Sequence, residues 1–125
     1  MGLTHVTVTL KAEQNSRKKF GAEFLVDTGA TDSMAPAAQL RKAGIKPVGK
    51  TVYELADGSV HEYEFGLVVI EFMGEITAGR VIFGPDHAGP ILGVTALESV
   101  GILVDAARQS LKRMPAIPLK GEKLC

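Results

Sequence analysis

Short runs of β-forming residues, separated at close intervals by Gly, Pro, Asn or Asp, make up most of the chain. In residues 4–11, Val6, Val8 and Leu10 alternate with polar residues, and this period of two is typical of a half-buried strand. Residues 20–26 form a second such run after a polar turn, so the two predict an N-terminal hairpin. Many short strands with little helix predict an all-β domain, closed into a barrel or packed as a sandwich.

Two short helices are predicted among these strands. Pro36 suits the first turn of a helix over residues 37–43, which ends at Gly44. A second helix of one or two turns is predicted over residues 95–100. The remaining predicted strands cover residues 51–56, 60–65, 67–72, 77–83 and 102–105, and residues 91–93 are predicted as a short buried element.

The length of 125 residues fits one domain, and we predict a single domain over residues 1–125. The sequence does not predict where the tail from about residue 106 packs in this domain. Residues 106–114 are compatible with a strand pair or with a short helix, and two prolines make the rest extended.

Charge and cysteine content narrow the classes of function. Fourteen basic and fourteen acidic residues leave no formal net charge, which argues against a nucleic-acid partner. Cys125, the one cysteine, cannot form an internal disulfide. No basic start followed by an apolar leader is visible, and no apolar run is long enough to cross a bilayer. We therefore expect a cytoplasmic chain with no membrane segment.

A carboxylate stands directly at the end of the second predicted strand. Asp27 follows apolar Leu25 and Val26, and a charge in such a place is costly unless it is hydrogen-bonded or functional. Thr28 adds a hydroxyl, and Gly29 permits a close backbone approach or a positive φ. The tripeptide is common by chance and leaves two alternatives. Asp27 is presented at the floor of a cleft, or it bonds its own backbone in a plain turn.

Other catalytic chemistries find little support. His5, His61 and His87 are far apart in the sequence and have no spacing typical of a metal site. Cys125 has no evident histidine partner, and neither a Gly-x-Ser-x-Gly motif nor a phosphate-binding loop is present. We predict neither a metal nor a cofactor.

A second motif, Ile91-Leu92-Gly93, lies well downstream, and the Asp57-Gly58 pair between the two motifs predicts a hairpin. With these elements in this order, the sequence resembles the retropepsin-like aspartic proteases, the group that includes retroviral proteases and their cellular and bacterial relatives. The resemblance runs from Val6 to about Val104. It implies a closed β-barrel or sandwich with a flap hairpin and one or two short helices.

The resemblance also assigns roles to individual residues. Asp27 corresponds to the catalytic aspartate, and Thr28 to the residue whose hydroxyl links the two active-site loops across a dimer. Gly29 and Ala30 correspond to the wall beneath the bound substrate. Gly93 corresponds to the glycine that packs under the active-site loop. Two further groups complete the set: the flap tip over the substrate, Leu55, Ala56, Asp57, Gly58 and Ser59, and the apolar residues before the late glycine, Ile91 and Leu92.

The sequence departs from the retroviral pattern in two places. Retroviral members often have an arginine after the late glycine that pairs with an acid after the first motif, whereas here these positions are Val94 and Thr31. The flap tip is also more polar than a glycine-rich tip, and Asp57-Gly58 predicts a type I′ turn there.

Aspartic proteolysis needs two carboxylates that share one proton around a water molecule. The chain has one Asp-Thr-Gly, and Asp105 lies in a segment without the hydroxyl and the glycine. We therefore predict a homodimer in which each subunit contributes Asp27. Two carboxyl groups at such a short distance lose their protons in two coupled steps, so the expected working pH range is acidic to near neutral.

The predicted partner is a peptide or protein substrate, and the predicted apolar walls of its site lie near Val52, Leu55, Val60, Phe83 and Ile91. Two alternatives to a self-sufficient endopeptidase remain at this point. The chain could be a catalytically weak dimerisation or binding module on the same fold, since fold does not fix function. It could also be a protease domain cut from a longer precursor.

Overall fold

The structure, a computed structural model, describes residues 4–119, which form nine strands and two short helices. The strands are β1 His5–Lys11, β2 Phe20–Asp27, β3 Ser33–Pro36, β4 Gly49–Glu54, β5 Val60–Phe72, β6 Glu75–Gly84, β7 Ile91–Gly93, β8 Ile102–Asp105 and β9 Ser110–Arg113. The helices are α1 Ala37–Lys42 and α2 Val94–Ser99. Cys125 lies outside the described residues.

Six strands close into a barrel in the order β1-β2-β7-β3-β6-β5, because β5 pairs back onto β1. The pairs β2–β7 and β3–β6 are parallel, and the remaining pairs of the barrel are antiparallel. The edge strand β4 extends the sheet beside the first part of β5. This arrangement confirms the predicted all-β fold with its closed barrel, hairpins and short helices.

Apolar side chains from opposite walls fill the barrel. Val8 and Leu10 of β1 are fully buried, as their alternation with polar residues predicts. Phe24 of β2 and Leu92 of β7 are also fully buried beside them. The strands that carry the two sequence motifs are therefore anchored in the core, and their ends are held at a fixed separation.

Gly66 does not break a strand, although residues 60–65 and 67–72 were predicted as two separate runs. It lies inside the continuous strand β5, and a Cβ at this position would stand 2.9 Å from the carbonyl oxygen of Lys46. The glycine permits a close backbone approach and not a turn. The prediction of two strands was therefore wrong.

The C-terminal segment forms a second, two-stranded sheet from β8 and β9. Of the two alternatives for residues 106–114, the strand pair is therefore confirmed and the short helix is not. The backbone N–H of Met114 donates to the carbonyl of Gly101 at 2.8 Å, and Arg113 bonds Glu75 and the carbonyl of Met73. The contacts of Arg113 attach the hairpin to the β5–β6 turn. Within residues 4–119, no helix combines the length and apolar character needed to cross a membrane.

Candidate active site

Asp27 is the last residue of β2, where its parallel pairing with Gly93 of β7 brings the two sequence motifs side by side. Its Oδ1 accepts the backbone N–H of Gly29 at 2.9 Å, and its carbonyl accepts the N–H of Ala30 at 3.1 Å. This is the local bonding of a tight turn. The half-buried side chain also lines a cleft, which a plain turn does not require.

Backbone contacts hold the segment after Asp27 against β7 and the start of α2. The N–H groups of Val94 and Thr95 donate to the carbonyls of Ala30 and Thr31 at 2.8 and 3.2 Å. These hydrogen bonds involve Thr31 and Val94, the two positions at which the retroviral ion pair is absent from this sequence. The loop is therefore held to β7 and α2 through main-chain hydrogen bonds.

Gly93 lies directly under this loop. A Cβ on Gly93 would stand 2.5 Å from the carbonyl carbon of Asp32 and 2.7 Å from the carbonyl oxygen of Thr31. The N–H of Gly93 donates to the Oγ of Ser33 at 3.0 Å, and this hydroxyl is buried. Sequence reasoning missed Ser33, because it starts the four-residue strand β3, which is too short to show a period.

An open cleft of about 870 Å³ lies between the Asp27 loop and the β4–β5 hairpin. Of the residues to which the resemblance assigns a role, those that line the cleft are Asp27, Gly29, Ala30, Leu55, Ala56, Gly58 and Ile91. The others are not part of its lining: Thr28, Asp57 and Ser59 are next to lining residues in the sequence, and Leu92 and Gly93 are buried. One face of the molecule thus combines both motifs and the hairpin.

The predicted apolar walls are only partly right. Val52, Leu55 and Ile91 line the cleft, joined by Met34 and Ile82. The predictions for Phe83 and Val60 were wrong, since Phe83 packs in the core and Val60 is 62% exposed away from the cleft lining. Periodicity alone does not distinguish the two faces of a strand whose barrel partners are unknown.

The tip of the β4–β5 hairpin is a three-residue loop, and the predicted type I′ turn was wrong. The N–H of Gly58 donates to the carbonyl of Leu55 at 2.9 Å, and the N–H of Leu55 donates to the carbonyl of Ser59 at 2.8 Å. Gly58 has a φ of 84°, whereas Asp57 stays at negative φ, which is a type I turn followed by a bulge glycine.

Asp57 has a local structural role at this tip. Its Oδ1 accepts the hydroxyl and, at 2.9 Å, the N–H of Ser59. These bonds favour the ionised carboxylate and hold the pKa of Asp57 below its ordinary value. Protonation in strong acid would weaken both bonds, so the tip keeps them throughout the mildly acidic range.

A second carboxylate reaches the cleft from the Asp27 loop. Asp32 accepts the hydroxyl of Tyr53, on β4, at 2.7 Å between Oδ2 and the phenol oxygen. Burial, and then the neighbouring carboxylate, raise the pKa of Tyr53 above its ordinary value. Sequence reasoning found neither residue, because no local pattern links two positions that are 21 residues apart.

This contact predicts a late phase in the titration of the two tyrosines. We expect ultraviolet difference spectra to show one phenol that ionises above the ordinary value of 10.0, and Tyr53→Phe to remove that phase. Because the pKa of Tyr53 is higher in the folded state than in the unfolded chain, the neutral phenol stabilises the folded state below pH 10. This stabilisation is lost as the pH rises through the folded-state pKa. A late phase that persists in Tyr53→Phe would contradict the assignment.

Within the described residues, no three side chains of His, Cys, Asp or Glu converge as metal ligands would. The geometry is that of a carboxylate on the floor of a peptide-sized groove. The sequence model of a family described as aspartyl protease matches residues 7–96. The chain belongs to the aspartyl protease family.

The fold of this member of the aspartyl protease family is the retropepsin-like one. EIAV protease, solved with the inhibitor HBY-793, superposes with a TM-score of 0.56 at 22% identity over 80% of this chain and 89% of its own. The protease of Simian Foamy Virus (mac) gives 0.53 at 14% identity over 75% and 91%. The resemblance inferred from the two motifs is confirmed.

A cellular domain shares the fold over a longer stretch. The retroviral protease-like domain of Ddi1 from Leishmania major gives a TM-score of 0.53 at 18% identity over 99% of this chain and 100% of its own. Comparison with curated proteins finds no match. The fold similarity thus extends beyond residues 7–96 of the aspartyl protease match into the C-terminal hairpin.

Proposed function

We propose that the chain is an aspartic endopeptidase that hydrolyses peptide bonds with a water molecule activated by two Asp27 carboxylates, one from each subunit of a homodimer. The observation that carries this proposal is the position of Asp27 on the cleft floor, fixed through Oδ1. Its Oδ2 accepts no hydrogen bond from residues 4–119, and is therefore available to a water molecule or to a partner's carboxyl.

The chemistry follows from one shared proton. The ionised Asp27 accepts a proton from water as the oxygen attacks the carbonyl carbon, while the protonated carboxyl donates a hydrogen bond to the carbonyl oxygen. Collapse of the tetrahedral intermediate breaks the C–N bond, and a carboxyl returns a proton to the leaving nitrogen. Both carboxyls are needed, and one chain brings one Asp-Thr-Gly.

Thr28 supports the two-subunit arrangement. It follows Asp27 directly, is exposed in the single chain, and its hydroxyl has no hydrogen-bond partner within the described part of the sequence. A threonine that links the two loops across a dimer axis would have this appearance in one isolated subunit. Gly29 and Ala30 next to it would form the wall under the substrate backbone, with the flap tip above.

The lining of the cleft favours an extended peptide with apolar side chains near the scissile bond. The apolar side chains that line the cleft together with Asp27 are those of Met34, Val52, Leu55, Ile82 and Ile91. A cleavage profile with charged residues on both sides of the cut bond would contradict this preference.

We expect the wild-type chain to cleave an unbiased peptide mixture with its best rate in the acidic to near-neutral part of a range from about pH 4 to pH 8. Because the active species is the dimer, the rate per chain should rise with protein concentration until the dimer is saturated. Sedimentation at the same concentrations gives the dimer fraction. Activity that tracks the monomer, or an alkaline optimum, would contradict the shared site.

The alternative of a weak binding module makes a different prediction for the same samples. A folded dimer that cleaves no peptide at any pH in this range would favour the module. The retroviral protease-like domain of Ddi1 shows that this fold also occurs within a cellular protein. Fold similarity alone does not decide between the two functions.

A further inference from the structure

The flap hairpin stands away from the barrel as a two-stranded arm. Among residues 4–119, the edge strand β4 pairs only with β5, and residues 60–64 of β5 pair only with β4. Pairing with β6 begins at Phe65. An isolated pair of strands is marginally stable in water, so the position of the arm depends on the few contacts that tie it to the rest of the molecule.

Three side-chain hydrogen bonds tie this arm to other elements within residues 4–119. Two of them are near the base and exposed: Arg41 to Glu64 at 3.3 Å and Arg80 to Thr51 at 3.1 Å. The third is the bond of 2.7 Å from the hydroxyl of Tyr53 to Asp32, which is part-buried. Tyr53 is three residues from Ala56, the first residue of the loop at the tip, so this bond acts furthest along β4.

Asp32 is a firm anchor for that bond. Its carbonyl carbon would stand 2.5 Å from a Cβ on residue 93, so its backbone packs closely against Gly93. The next residue, Ser33, is buried and accepts the N–H of Gly93. The hydroxyl of Tyr53 therefore connects the flap to the same scaffold that fixes Asp27.

We propose that Tyr53 is a positioning residue, whose hydrogen bond to Asp32 holds the flap hairpin over the Asp27 cleft before substrate arrives. The bond joins a phenol to an acidic side chain, part-buried at the cleft wall, where such a bond is stronger than a neutral one. The consequence for catalysis rests on the proposed peptidase function, but the position of the flap does not.

Hydrogen exchange measured by mass spectrometry tests the bond without reference to activity. We expect Tyr53→Phe to speed exchange of the backbone amides of residues 50–64 by about tenfold, because opening of the arm no longer breaks a bond to Asp32. Exchange in β1 and β2 should stay at the wild-type rate. Unchanged exchange in residues 50–64, or an equal rise in β1 and β2, would overturn the proposal.

Tyr63→Phe is the matched control for this experiment. Tyr63 lies beside Tyr53 on the same hairpin, with 6.3 Å between the ring centroids, and its hydroxyl has no hydrogen-bond partner among residues 4–119. The same loss of one oxygen should leave flap exchange at the wild-type rate. Asp32→Asn keeps an oxygen that accepts the Tyr53 hydroxyl but loses the charge that strengthens the bond, so its flap exchange should lie between that of the wild type and that of Tyr53→Phe.

Kinetics then test the consequence for turnover. We expect Tyr53→Phe to raise KM about five- to tenfold with kcat nearly unchanged, because substrate contacts must now order the flap. An equal fall of kcat at unchanged KM would overturn the positioning role. A wild-type chain without peptidase activity would refute the proposed function alone, since the exchange result stands independently.

Discussion

Asp27→Asn should lower kcat/KM for peptide cleavage by about 10³-fold or more while the barrel stays folded, as expected when a general acid–base pair is removed. The amide has nearly the shape of the carboxylate, and its oxygen can still accept the N–H of Gly29. It cannot accept a proton from water or share one with a facing carboxyl. Cleavage assays measure the loss, and circular dichroism and sedimentation check fold and dimer.

Mixing subunits separates a shared site from two independent ones. When wild-type and Asp27→Asn chains are mixed in equal amounts and exchange freely, about one quarter of the dimers contain two wild-type subunits. With a shared pair, activity per wild-type chain should therefore fall to about half. Activity that is unchanged by excess Asp27→Asn would show that each chain works alone, and would contradict the proposed mechanism.

Gly93→Ala should destabilise the domain by about 2–4 kcal/mol, at or above the usual range for overpacking, and should also reduce peptidase activity. The added Cβ would stand 2.5 Å from the carbonyl carbon of Asp32 and 2.7 Å from its oxygen. Both atoms belong to the backbone, so the Asp27 loop and β7 must separate. Urea unfolding of the two proteins measures the change in free energy.

Gly89→Ala is the control for this substitution. Gly89 is exposed in the loop before β7, and a Cβ there would meet nothing within 4 Å. We expect a change in unfolding free energy within about 0.5 kcal/mol. Equal stability of Gly93→Ala and Gly89→Ala would mean that the loop tolerates displacement, and that Gly93 is not a fixed support of Asp27.

The features that sequence reasoning found are those with local signals. Alternation marks β1 because one face of that strand is buried, and Asp-Thr-Gly after an apolar run marks the end of β2. The order of the two motifs and the hairpin was sufficient to indicate the retropepsin-like fold. That order does not indicate which face of each strand points into the barrel. Phe83 was therefore assigned to the cleft wall, although it packs in the core.

The missed features depend on contacts between distant residues. Gly66 looks like a break in the sequence, and its role becomes clear only when the carbonyl of Lys46 is placed against it. Tyr53 and Asp32 are 21 residues apart in different segments, and nothing in either segment predicts a hydrogen bond between them. The bulge at the flap tip depends on the sign of φ at Asp57, which Asp-Gly leaves open between two hairpin types.

The long strand β5 makes the flap and the barrel wall parts of one mechanical element. Phe65 pairs with Gly49 on one side and with Ile82 on the other, so the arm begins where the wall ends. The guanidinium of Arg80 covers this junction, 4.1 Å from the ring of Phe65. The flap is therefore a continuation of a barrel strand, and it is hinged where that strand leaves the sheet. The hydrogen-bond register of the barrel sets the direction in which the tip points.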